Sequence, residues 1–182
     1  MEHGVKIDDW LWQARILPAV APGLDWIGVN YYFRILVRWD VFPWRFFDVP
    51  EMGPHHKTEY GWEIYPKGPY RVLKRAGRLG RPVIVTENGI ADAEDDQRAR
   101  YLVAHLRQAH RAMQEGVDLR RYIHWSLIDN YEWAEGFTKR FGLAAVDFAT
   151  QHRRLRPSAQ VYRSIAASNR VSLDAVRAGG ER

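Results

Sequence analysis

Three clusters of polar and aromatic side chains stand at the ends of otherwise apolar stretches of the chain: Asn30-Tyr31-Tyr32, Thr86-Glu87-Asn88-Gly89, and Trp125 with the following Asp129-Asn130-Tyr131-Glu132-Trp133. Their residue types decide what each could do. Glu87 closes the apolar run Val83-Ile84-Val85, and a carboxylate there is costly to bury unless it is hydrogen-bonded or functional. The tyrosine hydroxyls are donors that could hold it. Indoles fill a core, stack against sugar faces or anchor a partner with the same apolar area, so position must decide what Trp125 and Trp133 do. Each residue also has a plainer use. Glu87 could be a strand-end carboxylate held by an Asn-Gly turn, Trp125 a core side chain, and Glu132 a solvated loop carboxylate. Tyr31 and Tyr32 could be core aromatics with satisfied hydroxyls.

Other chemistry is poorly supplied. His55-His56, His105 and His110 invite a metal reading, but adjacent loop histidines and a pair five apart on a helix do not converge as ligands should. The chain has no cysteine, which excludes disulfides and thiolate metal sites. No metal and no cofactor is expected. The formal charge of +5 comes from Lys and Arg spread along the chain, with a modest cluster at Arg153, Arg154 and Arg156. That pattern reads as solvated surface, because a nucleic-acid groove would interleave its cations with exposed aromatics on one face.

The clusters need elements that bring them together. Leu24 to Tyr32 follows a Pro-Gly break and reads as a short buried strand. Arg34 to Pro66, rich in aromatics and prolines and without a steady period, reads as a long structured loop of the kind that is usually functional. Helical spacing of Tyr70, Leu73, Ala76 and Leu79 predicts a helix over Pro66 to Leu79, capped by Gly80. The β-branched run Pro82 to Glu87 predicts a strand covered on both faces, broken by Asn88-Gly89. Leu102, Leu106, Ala109 and Met113 recur at helical intervals between Glu94 and Gly116, with acidic residues crowding the first turn. Arg121 to Ile128 reads as a third strand, and Leu155 to Ser168 as a terminal helix with Val161 and Ile165 inward. The tail 172–182 reads as frayed.

Strands joined in turn by helices are parallel with right-handed crossovers, giving an α/β layer or part of a barrel. In that architecture the strand ends feeding the βα loops converge on one rim, where ligands bind. All three clusters fall there. The length of 182 residues suits one domain spanning 1–182. No apolar run approaches the roughly 20 residues of a membrane span, and MEHGVKIDDW lacks the form of a secretory signal. A cytoplasmic protein is expected.

The segments GVNYY, VIVTENGIAD and HWSLIDNYEWAEGFTKRFGL resemble matching stretches of family 1 glycoside hydrolases, the second and third most closely the archaeal-type β-glycosidases. The resemblance runs from about Leu24 to Asn169, and the TENG and DNYEW motifs in this order and spacing make it specific. It implies a partial (β/α)8 TIM barrel, with this chain supplying the last three βα units. It further implies that Glu87 is the nucleophile of a retaining enzyme, attacking the anomeric carbon to form a covalent glycosyl-enzyme. Tyr32 matches the hydroxyl that donates to that nucleophile, and Asn30 lines the same pocket. Glu132 matches the carboxylate that accepts from sugar hydroxyls, Trp133 the indole N–H donor beside it, Trp125 the platform under the ring, and Phe141 the wall of the subsite. A sugar offers vicinal hydroxyls to a carboxylate and an apolar C–H face to an indole, so the chemistry fits.

One departure from the family is plain. Its acid/base lies in an Asn-Glu-Pro motif on an earlier strand, and no Asn-Glu-Pro occurs in this sequence. Retaining hydrolysis uses two carboxyl groups about 5–5.5 Å apart, one to attack and one to protonate the leaving group. The expected protein is therefore a β-glucosidase-type segment acting on β-glycosides or oligosaccharides once a complementary N-terminal half supplies the acid/base. A non-catalytic carbohydrate-binding module using Trp125, Glu132 and Trp133 is the second reading. A third is an inert remnant, whose unpaired strand edges would drive self-association.

Overall fold

The computed structural model describes residues 15–36 and 55–171. The tail expected to fray and the middle of the long loop, 37–54, lie outside the described residues. Three parallel strands, β1 (Ile27–Asn30), β2 (Val83–Asn88) and β3 (Leu119–His124), form one sheet in the order β1-β2-β3. Helix α1 (Lys67–Gly77) connects β1 to β2, α2 (Arg98–Gln114) connects β2 to β3, and α3 (Pro157–Ser168) follows β3. The predicted alternation of strands and helices is the observed one.

The main core is a single seam. Val29, Val83, Val85 and Leu119 from the sheet pack with Leu73 and Ala76 of α1 and with Ala109 and Ala112 of α2. Burying an aliphatic side chain of this size stabilises the fold by about 1.5–3 kcal/mol, and Leu73 and Val83 are wholly buried. A second seam joins Leu102 and Val103 of α2 to Val161 and Ile165 of α3. The opposite sheet face, carrying Gly28, Asn30, Arg121 and Ile123, is exposed. The strand predicted to be covered on both faces is thus covered on one: Val83 and Val85 are buried, Ile84 and Thr86 only partly. Helices α1 and α2 both pack on the covered side.

Local chemistry shifts several boundaries. Glu94, Asp95 and Asp96 precede α2 and are not its first turn. The helix start is held by the Asp92 carboxylate, which accepts from the backbone N–H groups of Gln97 and Arg98 at 2.9 and 2.8 Å. At its other end Met113 is 46% exposed, so the expected apolar stripe stops at Ala112. β3 ends at His124, four residues short of the expected Ile128, which makes only an isolated bridge to Ala144. A hairpin of β4 (Ala144–Val146) and β5 (Arg153–Leu155) was not anticipated. Leu155 belongs to that hairpin, and α3 begins at Pro157, a residue suited to a first helical turn.

Candidate active site

Each cluster sits where its strand ends. Tyr32 is the second residue after β1, and its hydroxyl donates to Glu87 Oε2 at 2.6 Å. Glu87 is the penultimate residue of β2, partly buried, and its main-chain carbonyl accepts from Tyr31 N at 3.0 Å. Trp125 follows β3, and its indole N–H donates to Glu132 Oε1 at 3.0 Å. Glu132 is 9% exposed and begins a tight turn in which its backbone N–H reaches the Gly136 carbonyl at 2.7 Å. Phe141, 1% exposed, meets the Tyr32 ring edge-on with centroids 6.3 Å apart.

The electrostatics join the two glutamates into one site. Burial, then the hydrogen bond to Glu87, then the charges of Glu87 and Glu132 push the Tyr32 hydroxyl well above its ordinary pKa. Tyr32 therefore stays protonated and donates. Burial raises the Glu132 carboxyl above its ordinary value, the Trp125 N–H opposes this, and the charge of Glu87 adds to it.

The site draws close through glycine. A Cβ on Gly89 would strike the main-chain carbonyl of Trp125, so only glycine lets the chain after β2 pass beneath the end of β3. The 129–142 loop is pinned from below by a buried ion pair. Arg156 donates to both Asp129 oxygens at 2.9 and 3.0 Å, and Gly142 N donates to the same carboxylate at 2.9 Å.

Two expected site residues sit apart from this cluster. Trp133 is 84% exposed with a positive φ of 48°, and its indole makes no hydrogen bond or ring contact among the described residues. The indole donor beside Glu132 is Trp125, a place expected for Trp133; the 132–136 turn directs Trp133 outward. Asn30 is exposed, and its side-chain oxygen accepts from the Thr86 hydroxyl at 2.6 Å. It lies on the open sheet face, level with Glu87 in the strand pairing.

The structure also adds residues. Trp62 stacks on Tyr60 at 4.1 Å and on Phe33 at 4.6 Å, and meets Tyr32 at 5.5 Å and Phe141 at 6.0 Å. This aromatic wall comes from the long loop, whose Tyr60-Gly61-Trp62 spacing was the available signal. Lys139 donates to the Glu59 carbonyl at 2.9 Å and so ties that loop to the 129–142 loop. Asn88, beside Glu87, is buried and bonded to three tyrosines.

A parallel β/α layer that gathers two carboxylates, a hydroxyl and an indole where its strands end has the architecture of the α/β enzymes, whose ligands bind at that rim. The chain belongs to glycosyl hydrolase family 1, whose sequence model matches residues 13–171. It is 48% identical over 160 residues to a beta-galactosidase of Sulfolobus acidocaldarius, covering 81% of this chain and 32% of that protein. With beta-glucosidase A of Thermotoga maritima it shares 42% identity over 158 residues, 80% of this chain and 35% of the relative. The solved beta-glycosidase from Pyrococcus horikoshii superposes with a TM-score of 0.79 at 45% identity, over 87% of this chain and 38% of that one. The chain spans about a third of the length of the curated relatives it matches.

Proposed function

We propose that this chain supplies the nucleophile side of a retaining β-glycosidase and contributes the last three βα units of a (β/α)8 barrel. The hydrogen bond from Tyr32 to Glu87, with Glu132 close enough for its charge to act on Tyr32, carries the reading. Glu87 attacks the anomeric carbon, and Tyr32 keeps the carboxylate oriented for attack while remaining neutral itself. Glu132 accepts from sugar hydroxyls with its free oxygen, its other oxygen being held by Trp125. Phe141 and the aromatic wall beside it shield that contact from water. The leaving group takes its proton from a second carboxyl group, which a companion part carrying Asn-Glu-Pro would bring.

Such a part would cover the exposed sheet face that holds Asn30, Arg121 and Ile123, pairing with edge strands β1 and β3. The relatives are called beta-galactosidase and beta-glucosidase, so a β-linked hexoside is the proposed substrate class. Coexpression with an N-terminal half bearing Asn-Glu-Pro is expected to give aryl-β-glycoside hydrolysis. Glu87→Ala is expected to lower it by on the order of 10⁴-fold or more, the scale seen when a covalent nucleophile is lost. Hydrolysis that survives this substitution would show the nucleophile to be elsewhere.

A further inference from the structure

Glu87, Tyr32 and Trp125 stand on three different strand ends, and the sheet is irregular where those ends meet. The pairing register shifts between Val29 and Asn30 and again between Val85 and Asn88. A shifted ladder interrupts the regular bonding between neighbouring strands, so something else must set the spacing of their ends.

Asn88 occupies that place and is 1% exposed. Its amide nitrogen donates to the Tyr31 carbonyl at 2.6 Å and to the Tyr101 hydroxyl at 2.9 Å, while its amide oxygen accepts from the Tyr122 hydroxyl at 2.7 Å. Its main-chain carbonyl accepts from Trp125 N at 3.0 Å. The Tyr101 hydroxyl in turn donates to the Tyr32 carbonyl at 3.4 Å. Both amide N–H groups and one lone pair are thus used, and only a neutral amide supplies that set: an ionised aspartate would face the Tyr31 carbonyl with no proton to offer.

We infer that Asn88 is a positioning residue for Glu87, its buried amide tying the ends of β1 and β3 to β2. It touches no substrate. It acts through the peptide groups of Tyr31, Tyr32 and Trp125, and so fixes where the Tyr32 hydroxyl meets Glu87 and where the Trp125 indole meets Glu132. Its catalytic meaning rests on the glycosidase reading, but its test does not.

In the ¹⁵N-labelled chain, the Trp125 indole cross-peak, identified by its disappearance in Trp125→Phe, lies downfield because a carboxylate accepts from it, and it titrates as Glu132 takes up a proton. In Asn88→Ala this signal is expected to move upfield with a reduced pH response, while the Trp26 indole, beside the other end of β1, keeps its position. Tyr122→Phe, which removes one hydroxyl bonded to Asn88 and no apolar volume, is expected to give a smaller shift in the same direction. It keeps the test decisive if Asn88→Ala fails to fold. A Trp125 signal unchanged in position and pH response in Tyr122→Phe and in any folded Asn88→Ala would overturn the inference, even with a lowered melting temperature. A displaced signal together with no hydrolysis in the completed enzyme would sink the glycosidase reading and leave the Asn88 tie intact.

Discussion

The two glutamates of the site are distinguished by their donors. Glu87 accepts from a phenol and Glu132 from an indole, and burial together with the charge of Glu87 raises the affinity of Glu132 for a proton. Tyr32→Phe removes the phenol and keeps the ring that meets Trp62 and Phe141. A hydrogen bond to a charged group contributes about 1.5–3 kcal/mol, so kcat/KM in the completed enzyme should fall roughly 10- to 150-fold. Steady-state hydrolysis of an aryl β-glycoside measures this, and an unchanged rate would mean that Tyr32 is only a packing residue. Glu87, Tyr32, Glu132 and Phe141 were legible in the sequence because short motifs place them at strand ends or in the loop that follows. Which indole serves Glu132 was not legible. The positive φ values of Trp133 and Gly136 turn the 132–136 segment outward, so the indole that reaches Glu132 is the one seven residues away and not its immediate neighbour. Asn88 was hidden for a related reason: Asn followed by Gly reads as a turn, and its tyrosine partners lie 13, 34 and 57 residues away.

At the scale of elements, the loop bearing Glu132 is fastened to the start of α3 by Asp129 and Arg156, both almost wholly buried. Removing one member of such a pair leaves the other charged, desolvated and unpaired, a loss of about 3–5 kcal/mol. Asp129→Ala is therefore expected to shift the urea midpoint far more than Glu135→Ala in the same loop, and equal shifts would show that the pair is dispensable. This clamp also explains what the sequence withheld. Apolar periodicity revealed the three helices and three parallel strands, because each buries a face against the seam. β4 and β5 are three residues each, and β5 is exposed throughout, so no period could mark them. They form because the Asp147 carboxylate accepts from Ala149 N and Thr150 N at 2.9 and 3.2 Å, turning the chain, and because Asp129 holds Val146 N at 3.3 Å. Met113 misled in the opposite sense: it keeps helical spacing with Ala109, but in the last turn of α2 it is Ala112 that packs into the core, and Met113 stays 46% exposed.

The molecule as a whole carries buried groups whose charge state must differ between the folded and unfolded chain. His105 on α2 and His124 at the end of β3 are both buried, and burial pushes their pKa values down to about 4 and about 3 respectively. The charges of Arg98 and His105 add to the effect on His124, whereas the Tyr101 carbonyl opposes it at His105. Unfolded histidine titrates near 6.5, so between that pH and the folded values the unfolded chain binds protons that the folded chain refuses. Stability from these two residues is therefore complete above about pH 6.5 and is lost as pH falls through 4 toward 3. For His105 the full difference amounts to about 3 kcal/mol. Glu63 works in the same direction at lower pH. Arg34 donates to it at 2.6 and 3.0 Å and holds its carboxyl below the usual range, so its contribution is also lost on acidification. The histidine part separates from the Glu63 part by its window, since histidines of the unfolded chain begin to take up protons between pH 6.5 and 5, above the range in which Glu63 is protonated. Thermal melts should show a melting temperature falling across that interval. In His124→Leu the fall should be shallower, because neither ring nitrogen of His124 has a hydrogen-bond partner to lose and an apolar side chain takes up no proton. A melting temperature flat from pH 7 to 5, or a slope unaltered by the substitution, would mean that His124 meets solvent readily enough to protonate in the folded chain.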